Sequence, residues 1–424
     1  MLVKKQRAFA FFSFTHSALF LASFVSICIS NLFVYFLMGG IVVTVIGILR
    51  YYDKISIDIY DLLFIGALFA YGIVWSLDAL YSGVTFSSFN SYIPFWAFFA
   101  ILFLVGWRTY SISISFICIA IFSTCLCLLL IALIEKLILG QYRVNNGFSP
   151  IIFGNIALCL AASALPLSYI HSNKCWIIFG LLSVGAGIFV SLLSGSRGGW
   201  IAIPILGWII WQQLELKKWF DKKYFFLVLL FIGCAFLLIN ILPNTQIFSR
   251  LDQIINNIIR YREGDSGTSL GLRFEMWKGA WIIFKEHPLL GVGEAALVSS
   301  RDYLVDAGEL NPKVRGLGRL IFDNFHSDLF DTAARRGVLG VISLIILYFL
   351  PLWLFWQRSY DKNLTCRLIA ISGVLVIVSF IFFGLSYSML RDPNSYLLYI
   401  ILTSSLWSAL RYYENSNNNV KDKF

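Results

Sequence analysis

Apolar runs of roughly twenty residues, long enough to cross a bilayer core as α-helices, recur from one end of the chain to the other. Continuous runs such as FFLVLLFIGCAFLLINIL, residues 225–242, lack the alternating polarity of a membrane β-strand. The pattern predicts an all-α polytopic membrane protein of about twelve spans. They fall at 9–29, 31–49, 61–80, 91–106, 110–135, 149–170, 176–194, 199–213, 224–242, 337–356, 368–388 and 395–410. Between the ninth and tenth spans lies one large polar segment, 243–336, and the spans at 91–106 and 199–213 are short.

Within 243–336, RLDQIINNIIRY (250–261) carries apolar residues at helical spacing. After the GDSG turn, Thr268 or Ser269 can cap a second helix, SLGLRFEMWKGAWIIFKEHP (269–288). Phe274, Trp277, Trp281 and Phe284 share one face of it, a stripe suited to lying on the membrane surface or on the span bundle. Packing or interface anchoring is a better fit for these tryptophans than a sugar platform. His287-Pro288 and the glycines of PLLGVG end the helix. A polar loop then leads to DNFHSDLFD (323–331), read as a helix running into the tenth span.

Composition sharpens this picture. Hydrophobic residues make up 59% of the chain and charged residues 13%, against about 25% charged in a soluble domain. The basic N-terminus (Lys4, Lys5, Arg7) resembles the start of a signal peptide, but no small-residue cleavage site precedes soluble sequence, so it reads as a retained first span. The eight cysteines all fall in or beside apolar runs, and Cys125-x-Cys127 has neither zinc nor redox spacing. With the N-terminus inside, the cytoplasmic segments hold 17 basic residues and the short external ones only 4: Lys136, Arg143, Arg197 and Arg391. The segment 243–336 carries 12 basic and 12 acidic residues. The net charge of +10 is then an orientation signal rather than a nucleic-acid footprint, and both termini lie inside. The polar end ENSNNNVKDKF, within a 411–424 tail, reads as disordered.

Arginines left outside are not needed for topology. Arg197, in SLLSGSRGGW (191–200), follows directly on an apolar helix. An arginine at that depth marks either a site or an interfacial side chain reaching headgroups. Gly198 and Gly199 would let a ligand approach the backbone. Asp323, His326, Asp328 and Asp331 invite a metal reading, but their spacing does not bring all four to one helical face. The aspartates fit helix capping or pairing with Arg335 and Arg336, themselves read as a solvated, membrane-flanking pair. His16 and His171 look incidental.

Taken in order, SGSRGGW, SLGLRFEMW followed by PLLGVG, and NFHSDLF-x4-RRGVLG resemble the O-antigen ligase and polymerase superfamily of bacterial inner-membrane glycosyltransferases. The SLG-x-R-x-x-M stretch leans towards the ligases. The resemblance covers nearly the whole chain: domains 1–242 (spans one to nine), 243–336 (a periplasmic loop), 337–410 (spans ten to twelve) and the cytoplasmic tail. It implies transfer of a glycan from undecaprenyl pyrophosphate to a sugar hydroxyl of lipid A-core, inverting and metal-independent, with no cofactor. By motif its essential residues fall on Arg197, Arg273 and His326, and Arg143 in QYRVNNGFSP matches a recurrent basic position. Such chemistry suits these side chains: guanidiniums hold a departing pyrophosphate and a histidine activates the acceptor hydroxyl. A polymerase joining lipid-linked repeat units shares donor and leaving group. A lipid-glycan transporter predicts repeats and midplane charges, which the sequence does not display.

Overall fold

The computed structural model describes residues 2–26, 33–83, 94–110, 112–213, 256–257, 259–263, 265–317 and 320–421. Its helices are α1 (Leu2–Ser26), α2 (Phe33–Arg50), α3 (Ile59–Tyr81), α4 (Pro94–Tyr110), α5 (Ile114–Leu133), α6 (Pro150–Leu167) and α7 (Lys174–Ser194). They continue with α8 (Ile203–Gln213), α9 (Ser269–Glu286), α10 (Leu297–Asp306), α11 (Asp328–Arg358), α12 (Leu364–Gly384) and α13 (Pro393–Lys421). A two-residue hairpin, β1 (Gly316–Leu317) with β2 (Leu320–Ile321), is antiparallel.

Among the described residues, six helices are long and apolar enough to cross a membrane: α3, α5 with its extension to Ile138, α6, α7, α11 and α12. The chain is a multi-pass, all-helical membrane protein. Shorter apolar stretches of α2 and α4 accompany them. The span read at 224–242 lies outside the described residues. That read at 199–213 is a 3₁₀ turn, Arg197–Ala202, followed by an α-helix of only 11 residues. Pro204, in the second position of α8, suits a helix start but not its interior, which explains the break. The polar end is not disordered throughout: α13 continues to Lys421. Glu414 pairs with Arg358 at 2.8 Å and with Arg411, tying that stretch to α11.

α6 and α12 are the most enclosed helices. Small residues let α6 and α7 approach closely, since a Cβ on Gly187 would meet the Ala157 carbonyl oxygen and the Ala161 methyl. Ser372 of α12 donates to the Ser163 carbonyl of α6 at 3.2 Å.

Charged side chains sort to opposite ends of the bundle. At one end, buried Asp61 takes the Arg108 guanidinium (2.9 Å) and the Trp407 indole (2.9 Å), with Arg411 paired to Asp58 nearby. At the other end, Asp78 at the far end of α3 meets Glu294, Arg336 and the groups described below. His16 and His171 are not loose: His16 shares a hydrogen bond with Thr44 (3.0 Å) and His171 with Ser115 (3.0 Å).

Candidate active site

The start of α11 explains how His326 is placed. Asp331 Oδ1 accepts the Phe325 N–H at 3.0 Å, and Asn324 Oδ1 accepts the His326 N–H at 3.0 Å. These bonds hold a short loop in which His326 takes a left-handed conformation, φ 51°, rare for a residue with a Cβ. DNFHS is therefore loop, and the helix begins only at Asp328. Asp328 accepts the Leu390 N–H (2.9 Å) and the Tyr348 hydroxyl (3.0 Å), fastening the loop to the turn after α12. That turn carries Tyr387 and Arg391.

The motifs PLLGVG and RRGVLG are two halves of one joint. Gly337 (φ 57°, ψ −152°) interrupts α11, and residues 288–293 dock into the interruption. Val292 and Gly293 donate to the Ala334 and Arg335 carbonyls at 3.0 and 2.9 Å, and Val338 donates to the Pro288 carbonyl at 2.7 Å. The approach is backbone to backbone: a Cβ on Gly291 would collide with the Arg335 peptide. The joint delivers Glu294 into a buried charge cluster. Its carboxylate meets Arg335 (2.6 Å), Arg336 (3.0 Å) and Arg391 (2.6 Å). Burial alone would raise the Glu294 carboxyl, but the Arg335, Arg391 and Arg336 guanidiniums outweigh it and hold the pKa at about 2.

Arg335 and Arg336 are thus not a solvated pair; their side chains are 1% and 2% exposed. Arg335 also pairs with Asp331 at 3.0 Å, as the helical spacing predicts, and Arg336 pairs with Asp78 at 2.8 Å while stacking 3.6 Å over Trp75. Arg391 reaches on to Asp323 at 3.1 Å. Three of the four groups in the metal reading are therefore engaged: Asp323 with Arg391, Asp328 with Tyr348, and Asp331 with Arg335. Among the described residues, no group of three or more His, Cys, Asp and Glu side chains is arranged to hold a metal.

Arg273 projects from α9, which Thr268 caps by accepting the Gly271 N–H (3.1 Å) and His287 closes. The helix lies against α11, Trp277 stacking on Phe330 at 5.3 Å, while Trp281 is exposed. Arg273 makes no hydrogen bond or ion pair among the described residues. Partial burial, and then the nearby charge of Arg197, lower its pKa from the usual guanidinium value. Two guanidiniums held close share a chemistry suited to an anion.

Gly198 and Gly199 bring Arg197 to this point by a different route from the one expected. A Cβ on Gly198 would strike Ser386, and one on Gly199 would strike Asn155, so the glycines serve helix packing rather than ligand approach. Arg143 sits next door, its Nε donating to the Ser194 carbonyl at 2.8 Å. Its loop is shaped by the buried Glu135 carboxylate, which accepts the Asn145 and Asn146 N–H groups at 2.7 and 2.9 Å. His326 completes the group. Its pKa falls to about 4 through burial and the Arg273 charge, against the opposing pull of Asp331 and Asp323. Arg197, Arg273 and His326 are brought together, with Arg143 alongside.

Sequence patterns missed Glu294, Asp78, Tyr387 and Arg391's role in the cluster. Only Arg391 had left a signal, as an unneeded external cation.

Residues 178–345 match the O-antigen ligase family model. The match takes in Arg197, Arg273 and His326 and bears out the resemblance read from the sequence. An uncharacterised protein of Haemophilus influenzae is 29% identical over 273 residues, 63% of this chain and 67% of that protein. An O-antigen ligase of Escherichia coli K12 is 25% identical over 217 residues, 51% of this chain and 48% of that protein. The chain thus spans about half the length of the ligase it matches. Together the matches support a function of the O-antigen ligase or polymerase type.

Proposed function

We propose that the protein is an O-antigen ligase, transferring a glycan from undecaprenyl pyrophosphate to a sugar hydroxyl of lipid A-core. The reading rests above all on one observation: Arg273, with no carboxylate partner among the described residues, lies close to Arg197 and beside a histidine kept neutral. In this reading 243–336 is a periplasmic loop of an inner-membrane protein with both termini cytoplasmic, and 1–242 and 337–410 form the span bundle around it.

Arg197 and Arg273, with Arg143 alongside, take the pyrophosphate oxygens. The acceptor hydroxyl attacks the anomeric carbon from the face opposite the leaving group. A new C–O bond forms as the anomeric C–O(phosphate) bond breaks, and the configuration inverts. His326 takes the hydroxyl proton, while the pyrophosphate departs with the bonding pair and its added charge meets the guanidiniums. Pyrophosphate is already a good leaving group, so a weakly basic histidine suffices. No cofactor enters this scheme, and with its carboxylates engaged by arginines and Tyr348, the site favours a transfer without metal.

The test uses purified protein, a chelator, undecaprenyl-pyrophosphate-linked polymer and lipid A-core, with products separated on a gel. A polymer-bearing core band, absent with Arg273→Ala, supports the ligase. Lengthening of lipid-linked repeats with unmodified core makes it a polymerase, and neither product returns the question to lipid-glycan transport.

A further inference from the structure

A histidine that takes a proton is ordinarily oriented by a hydrogen bond to its second ring nitrogen. Among the described residues His326 has none: its Nδ1 is buried without a partner. What surrounds the imidazole is aromatic. The Phe322 ring meets it edge-on at 5.5 Å and 77°, and the Tyr387 ring lies at 5.3 Å and 57°.

Both rings are themselves anchored. The Phe322 N–H donates to the Arg315 carbonyl at 3.0 Å, and its own carbonyl accepts from the buried Arg301 guanidinium. Tyr387 stands in the turn after α12, its N–H donating to the Phe383 carbonyl at 3.0 Å. Arg273 senses the Tyr387 phenol electrostatically. Tyr387 therefore touches the histidine and lies near Arg273.

We propose that Tyr387 is a positioning residue, its ring clamping the His326 imidazole against Phe322. The clamp replaces the missing hydrogen bond. With Nδ1 turned inwards, it leaves Nε2 to meet the acceptor hydroxyl. This role rests on the ligase reading for its chemistry but not for its geometry, and the two can fail separately.

The experiment compares Tyr387→Leu and Tyr387→Phe in the full-length protein in nanodiscs, with thermal melting to confirm that each is folded. His326 is footprinted by diethylpyrocarbonate, its carbethoxylation rate read by peptide mass spectrometry, and transfer kinetics are measured alongside. Tyr387→Leu should react about fivefold faster at His326 and lose about tenfold or more in kcat, with donor KM within about twofold, as expected for a misplaced group. Tyr387→Phe keeps the ring and should restore the footprint and most of kcat. An unchanged footprint in a folded Tyr387→Leu protein overturns the clamp, as does an equal loss in both variants. If the wild-type protein transfers no glycan, the ligase reading falls and the footprint alone decides the clamp.

Discussion

The Arg335 guanidinium meets the Glu294 carboxylate at 2.6 Å, and both side chains are withdrawn from solvent. The same carboxylate serves Arg336 and Arg391, so one acidic residue neutralises cations from α11 and from the turn after α12. Its own N–H donates to Asp78 at the end of α3 (3.0 Å). Removing a partner from such a cluster strands buried charge, which costs about 3–5 kcal/mol. Glu294→Ala should therefore lower the melting temperature sharply in detergent, and Glu294→Gln only somewhat less. A melting temperature unchanged in both variants would refute the hub.

The joint between PLLGVG and RRGVLG makes a second, sharper demand. Gly337 has φ 57° with ψ −152°, and a Cβ there would run into the Leu289 peptide. Gly337→Ala should destabilise the protein by about 2 kcal/mol or more, combining backbone strain with a collision that undocks residues 288–293. The loss should appear as a lowered melting temperature together with faster proteolysis between α9 and α10. Gly308 offers a control that shares the positive φ: its φ is 78°, but a Cβ there meets nothing. A Gly308→Ala loss as large as that of Gly337→Ala would show that strain alone, and not docking, governs the joint.

What could be read in advance follows from the range of each signal. Helices announce themselves locally, through apolar runs and through caps such as Thr268. Arg197, Arg273 and His326 were legible because their charge contradicts the polarity of their surroundings or fits a motif. Glu294 was not, since a glutamate after GVG looks like any solvated loop carboxylate. Its partners lie 41, 97 and 216 positions away in Arg335, Arg391 and Asp78. The same holds for Tyr387, which ends an apolar run and meets His326 only in the folded chain. Arg335 and Arg336 were misjudged because a basic pair before a span has the same pattern whether solvated or sealed beneath an inserted loop.

Arg273 and Arg197 repel one another, so the proposed anion site is maintained at the expense of stability. Arg273→Ala should lower transfer by about a hundredfold while leaving the melting temperature unchanged or slightly higher. Arg273→Lys should recover little, because an ammonium cannot grip two phosphate oxygens in one plane. Parallel melting curves and initial rates check this. A marked drop in stability with Arg273→Ala would mean that the side chain is structural and not held ready for a ligand.

The depressed pKa of His326 fixes the sign of the pH dependence. Burial and Arg273 hold the imidazole at about 4, below its ordinary 6.5. In the unfolded chain the same group takes up its proton more readily. Its neutral burial is therefore free of penalty above about pH 6.5, and stability falls as pH drops from there towards 4. In the proposed mechanism the base is available in the free enzyme down to about pH 4, so the acid limb of kcat/KM should lie near 4. Bound pyrophosphate offsets the Arg273 charge and favours the imidazolium. The acid limb of kcat, which reports the loaded enzyme, should consequently lie at higher pH than that of kcat/KM. Arg273→Ala should move the kcat/KM limb upwards, since burial alone then lowers the pKa while Asp331 and Asp323 still pull it upwards. Initial rates across this range in both proteins measure the two limbs. A wild-type kcat/KM limb near 6.5 that does not move with Arg273→Ala would mean that His326 is solvated in the working enzyme and that Arg273 does not reach it.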